Sequence, residues 1–204
     1  MTLNKNNTNI NQEVGYQRTA QFSNLCDDII DPSFATGGNC WQTTLFRVQD
    51  FSGVGLHSGN KVKVSIRPGK ENTGIMFVRT DLKGDIEKRR IQANYSFVSD
   101  TSLCTTIENK DGAKVSTIEH IMAAFNGSGV DNAIVELDGP EVPIMDGSSL
   151  PFLYLIEDAG IIQQSSKRKI LKILKKIEVH EENKICSISP VSYTHLTLPT
   201  ILLV

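Results

Sequence analysis

Lys61-Val-Lys-Val-Ser-Ile-Arg67 alternates polar and apolar side chains without a break, and Pro68-Gly69 ends the run. Successive side chains of a strand point to opposite faces, so this segment has one wet face and one apolar face that another layer must cover. Helices are the covering layer that the rest of the chain offers. In Ser116-Thr-Ile-Glu-His-Ile-Met-Ala-Ala-Phe125, apolar Ile118, Ile121, Met122 and Phe125 recur at i, i+3, i+4 and i+7, the stripe of a core-facing helix. A second helix starts near Ser148 or Ser149, with Pro151 in its first turn. It turns Phe152, Leu155, Ile156 and Ala159 inward and stops at Gly160.

The other strands fall around these helices. Residues 45–51 read as a strand leading into Ser52-Gly-Val-Gly-Leu-His-Ser-Gly59, and the alternating strand follows. A dinucleotide fingerprint needs a helix directly after its glycines, so this strand–loop–strand order excludes one. Gly53, Gly55 and Gly59 read as hairpin-turn glycines using positive φ. Residues 75–79 and 91–95 are further strands, and 102–108 pairs with 114–118 about the hairpin signal Asn109-Lys-Asp-Gly112. The first helix ends at Gly127-Ser-Gly129, and 130–138 is a strand closed by Gly139-Pro140. Strands with segregated helices indicate an α+β fold, a two-layer sandwich of a β-sheet packed on helices.

The ends of the 204-residue chain differ from its middle. Residues 1–42 are rich in Asn, Gln, Thr and Ser without periodicity, and read as a disordered or non-native extension. Residues 43–166 carry the α+β domain, and 167–190 look like the opening hairpin of another. Residues 191–204, VSYTHLTLPTILLV, are uncharged and resemble the translation of a sequencing-library adapter, so they are set aside as a tail. A net charge of −2 leaves no nucleic-acid footprint, and no apolar run approaches the ~20 residues of a membrane span. The four cysteines, Cys26, Cys40, Cys104 and Cys186, form no C-x-x-C pair. That suits reduced thiols in a cytoplasm.

The chemistry-bearing residues are on the first helix. Glu119 and His120 point away from the apolar stripe and share their side with Ala123 and Ala124. Two readings compete. Ser116 and Glu119 have the S-x-x-E spacing of a capping box, in which the Glu side chain returns to the N-cap amide. Alternatively, Glu119 is a base beside a metal ligand, His120. His57, on the glycine-rich loop, is by itself a plain loop histidine.

Gly53-Val-Gly-Leu-His-Ser-Gly59, Thr101-Ser-Leu-Cys-Thr105, Ser116-Thr-Ile-Glu-His-Ile-Met-Ala-Ala124 and Asp138-Gly-Pro-Glu-Val-Pro-Ile-Met-Asp-Gly-Ser148 together resemble the zinc-dependent UDP-3-O-acyl-N-acetylglucosamine deacetylases of lipid A (lipopolysaccharide) biosynthesis. Asn72-Thr-Gly-Ile75 and Arg79-Thr-Asp-Leu82 fall in register with them. The resemblance implies two similar α+β domains facing each other across a cleft, of which this chain holds the first. It implies Glu119 as general base, His120 as a zinc ligand, and UDP-3-O-acyl-N-acetylglucosamine as the substrate of a monomeric hydrolase. Leu56, His57, Leu103 and Cys104 match positions near the substrate or the metal, though each is also an ordinary core or loop residue. Asp138 to Ser148 reads as a solvated loop.

One departure limits these expectations. A catalytic zinc takes three protein ligands and a water, and the resemblance implies a His and an Asp four residues apart in the second domain. No histidine here has Asp at i+4, so this polypeptide is expected to be inactive by itself. The alternative is a non-catalytic domain that binds a nucleotide-sugar or a protein.

Overall fold

The computed structural model describes residues 20–23, 41–168 and 170–190. They belong to two compact units, Asn39–Arg168 and a second formed by Met1–Gly38 with Lys169–Val204.

The larger unit is built on a five-stranded sheet. In chain order its strands are β3 (Gln49–Val54), β4 (Lys61–Pro68), β5 (Ile75–Arg79), β6 (Arg90–Gln92) and β10 (Ala133–Leu137). They lie side by side as β3-β4-β10-β5-β6, with β10 parallel to β5 and the other neighbours antiparallel. The alternation predicted for β4 holds: Val62, Val64 and Ile66 are buried, while Lys61, Lys63 and Arg67 are exposed.

Two helices form the second layer, α2 (Glu119–Gly127) and α3 (Leu150–Ala159). A short α1 (Ile86–Arg89) lies between β5 and β6 and buries nothing. Ile121, Ala124 and Phe125 of α2 join Phe152, Ile156 and Ala159 of α3, all within 1% of complete burial, against the apolar face of the sheet. Phe51 of β3 meets Phe152 edge-on, with ring centroids 5.8 Å apart and planes at 73°, the geometry that the ring quadrupoles favour. The α+β two-layer arrangement is therefore the one expected.

Smaller ladders frame this sandwich. β7 (Val98–Asp100), β8 (Thr106–Glu108) and β9 (Lys114–Val115) form a three-stranded sheet around the predicted Asn109–Gly112 turn, where Gly112 has φ 84°. β2 (Trp41–Leu45) pairs antiparallel with β11 (Ile161–Lys167). Buried Asn132 ties this ladder to the rest: its amide donates to Gln42 at 2.8 Å and to Gln164 at 2.7 Å, and its Oδ1 accepts from the Gly74 amide at 2.8 Å.

Several boundaries differ from expectation. Residues 45–51 are not one strand, because the chain leaves β2 at Leu45 and starts β3 only at Gln49, with the Phe46 amide bonded to Gly160. The expected strand 91–95 stops at Gln92, where Asn94 instead caps a 3-10 turn, Tyr95–Phe97. Ala124 does not share the open face with Ala123: it is fully buried, and Ala123 is exposed. Of Gly53, Gly55 and Gly59, only Gly59 has positive φ, at 65°. Gly53 and Gly55 are glycines because of close approach. A Cβ on Gly53 would lie 2.7 Å from that of Pro143, and one on Gly55 would collide with the carboxylate of Glu141 and the hydroxyl of Ser58.

In the smaller unit, β12 (Ile170–Ile173) pairs antiparallel with β1 (Ala20–Ser23), a strand inside the stretch for which the sequence suggested none. β13 (Ile177–Glu181) and β14 (Lys184–Ile188) form the anticipated hairpin, turning at Glu182 with φ 51°. The expected tail, 191–204, lies outside the described residues, as does most of 1–42. Among the described residues, no helix is long and apolar enough to cross a membrane.

Candidate active site

The start of α2 is assembled by three segments rather than by its own cap. Leaving β9, the chain pairs Ser116 with the segment after β10: the Ser116 amide donates to the Pro140 carbonyl at 2.9 Å, and the Val142 amide to the Ser116 carbonyl at 3.1 Å. Thr117 then takes φ 57°, a conformation that is costly for a β-branched residue, and it is 2% exposed. The helix begins at Glu119, with Ile118 at the N-cap position and no side-chain cap.

The capping box therefore does not form. Glu119 turns to the loop before β8, and its Oε2 accepts the amide of Thr105 at 3.0 Å. The Ser116 hydroxyl accepts instead from that of Thr106 at 3.0 Å, and the Cys104 thiol lies 3.7 Å from the same Thr106 hydroxyl. Glu119 and His120 are both half-buried at the end of the helix that faces this loop.

Glu141 organises the neighbourhood, and sequence reasoning missed it. The segment 138–148 is not the solvated loop anticipated there, since Glu141 is 2% exposed and Val142 is fully buried. The Glu141 carboxylate accepts the His57 amide at 3.0 Å, the Ser58 amide at 2.8 Å and the Thr117 hydroxyl at 3.0 Å. Burial pushes its pKa up, but the amide of His57, the hydroxyl and amide of Ser58 and the hydroxyl of Thr117 outweigh this and hold it at about 2. The available signal was a lone carboxylate between prolines in an apolar run.

Further along, Asp146 accepts from the hydroxyl and amide of Ser148, at 2.8 and 2.9 Å. The Ser148 hydroxyl, then its amide, and to a smaller degree the charge of His120 hold the Asp146 carboxyl below its usual range.

A hollow of about 400 Å³ opens between these loops, lined in part by His57, Leu103, Cys104, Thr106, Ser116 and Glu141. It gathers His57, Leu103 and Cys104 from separate parts of the sequence. Leu56, Glu119 and His120 are not among its lining residues. Of the site residues expected from the sequence, the apolar Leu56 and Leu103 are exposed, at 59% and 83%.

The donor set does not by itself make a catalytic metal centre. Among the described residues, no three His, Cys, Asp or Glu side chains converge on a common point, whereas a catalytic zinc requires three protein ligands. One imidazole with a carboxylate beside it fits a contribution to such a centre.

Comparison with known proteins identifies the family of this two-layer α+β chain. The profile of the UDP-3-O-acyl N-acetylglycosamine deacetylase (LpxC) family matches residues 42–201. The UDP-3-O-acyl-N-acetylglucosamine deacetylase of Neisseria gonorrhoeae (strain ATCC 700825 / FA 1090) is 46% identical over 157 residues, covering 77% of this chain and 51% of that protein. The protein of the same name from Neisseria meningitidis serogroup B (strain ATCC BAA-335 / MC58) gives the same figures. The chain belongs to the UDP-3-O-acyl N-acetylglycosamine deacetylase family. It spans about half the length of the curated relatives it matches, and the matched span continues past Pro190.

Proposed function

We propose that the protein acts in hydrolysis of the N-acetyl group of UDP-3-O-acyl-N-acetylglucosamine, releasing acetate and the free 2-amino sugar nucleotide in lipid A biosynthesis. The substrate is the one named for its relatives. The observation that carries the reading is Glu119, released from any capping role and aimed by the Thr105 amide beside His120. An acetamide is a poor electrophile, so its hydrolysis needs an activated water and a polarised carbonyl. Zinc, when bound, lowers the pKa of a water and polarises the carbonyl oxygen.

His120 is the ligand that the larger unit contributes, and the remaining protein ligands come from outside the described residues. Glu119 accepts the proton of the attacking water through its carboxylate and delivers it to the departing nitrogen, so that the amide C–N bond breaks to amine and carboxylic acid. The 3.0 Å bond from the Thr105 amide keeps one carboxylate oxygen oriented and leaves the other free for this exchange. Exposed Leu56 and Leu103 are apolar surface suited to an acyl chain. The larger unit alone does not turn over, because no three metal donors converge among its described residues. The complete protein works in the cytoplasm as a monomer.

Acetate release from the acyl nucleotide sugar, measured with a protein of the relatives' full length and with bound zinc quantified, tests this. Loss of turnover in Glu119→Gln together with loss of zinc in His120→Ala is the expected result. Undiminished hydrolysis in either variant, or in metal-free protein, would refute it. Stoichiometric binding of the substrate without acetate release would favour the non-catalytic alternative.

A further inference from the structure

Glu141 does more than fill a place in the core. The residue is 2% exposed, and its carboxylate receives donors from two segments far apart in sequence, the amides of His57 and Ser58 on one side and the hydroxyl of Thr117 on the other. The first pair lies on the loop that brings His57 to the hollow. Thr117 lies two residues before Glu119 and holds φ 57°, a strained conformation that needs external support. Gly55 lacks a side chain where a Cβ would collide with the same carboxylate. The chain thus gives up a side chain so that the loop can close on Glu141.

We infer that Glu141 is a positioning residue: its buried carboxylate clamps the His57 loop to Thr117, setting where that loop stands relative to Glu119 and His120. Both sides of the site hang on one group with a limited number of lone pairs. Loosening the bond on either side therefore changes the geometry on the other. The inference rests on reading His57, Glu119 and His120 as one site.

Backbone amide NMR of the 204-residue chain tests the clamp without any need for turnover. In Glu141→Gln one carboxylate oxygen becomes an NH2 group, a donor facing a donor, so the bond from the His57 amide or from the Ser58 amide is lost and the negative charge is lost from both. Exchange at His57 or Ser58, whichever amide faces the NH2 end, speeds about tenfold or more, the scale of a lost charge-assisted hydrogen bond, while β4 and β10 keep their protection. Thr117→Val shifts the His57 and Ser58 amide resonances across the carboxylate, Thr117→Ser restores them, and Thr117→Val has no further effect there in the Glu141→Gln background.

Unmoved His57 and Ser58 resonances in Thr117→Val overturn the clamp, as does an equal response with and without Glu141. Should Glu141→Gln fail to fold, the Thr117→Val and Thr117→Ser pair decides alone. Zinc added to a protein of the relatives' full length reports separately: an unresponsive His120 imidazole there would sink the proposed metal role, while the clamp would still stand or fall on the His57 and Ser58 amides.

Discussion

Glu119 Oε2 accepts the backbone amide of Thr105 at 3.0 Å, so the carboxylate at the start of α2 belongs to the loop before β8 and not to its own helix cap. Like a capping glutamate it accepts one backbone amide, but the donor lies on another loop, so its carboxylate is turned away from the N-cap. In a protein of the relatives' full length, Glu119→Gln keeps an acceptor for Thr105 and removes the base. The expected result is a fall in kcat of about 10²–10⁴-fold with little change in Tm. Steady-state acetate release beside thermal unfolding measures both.

Gly55→Ala tests the packing of the loop against Glu141. The new Cβ collides with the carboxylate and with the Ser58 hydroxyl, and overpacking of this kind costs about 1–3 kcal/mol. Chemical denaturation of the two chains should show that loss. Gly59→Ala instead probes φ, since a Cβ there meets nothing within 4 Å but the residue sits at φ 65°; its cost is that of the strained backbone alone, about 1–2 kcal/mol.

Phe152→Ala removes a fully buried ring that stands edge-on to Phe51 and fills the space between α3 and the sheet. The expected destabilisation is about 3–5 kcal/mol, read as a shift in the denaturation midpoint.

Acid should loosen the site. The folded pKa of Glu141 is lowered from 4.5 to about 2 by the His57 and Ser58 amides, the Ser58 hydroxyl and the Thr117 hydroxyl, against the opposing effect of burial. A carboxyl depressed in the folded state contributes stability that is fully present above its unfolded value and is lost as pH falls through the folded one. Glu71, also lowered to about 2 by the hydroxyls of Ser165 and Ser166, acts in the same direction. Tm should therefore drop between pH 4.5 and about 2, and less steeply in Glu141→Gln. An equal slope in both proteins would contradict the assignment.

Most of the architecture was legible along the chain because periodicity is a local property. The alternation of β4, the turn at Asn109–Gly112 and the stop of α3 at Gly160 are where residue order places them. Boundaries that depend on distant partners were not. Leu45 leaves its strand because Phe46 is bonded to Gly160, and Ser116 loses its capping role because Pro140 and Thr106 claim its amide and hydroxyl. Glu119 and His120 were visible as a pair; where the Glu119 carboxylate goes was not.

Residue order alone settles that the chain makes a sheet with one apolar face, two amphipathic helices to cover it, and an adjacent carboxylate and imidazole on the first of them. Only the folded chain decides that Glu141 is buried beneath the His57 loop, that Gly55 must lack a side chain, and that Thr117 takes positive φ. The reason is range. Side-chain periodicity is read over a few neighbouring residues, whereas the pairing of Glu141 with His57 and Thr117 links positions 84 and 24 residues apart, which no local pattern records.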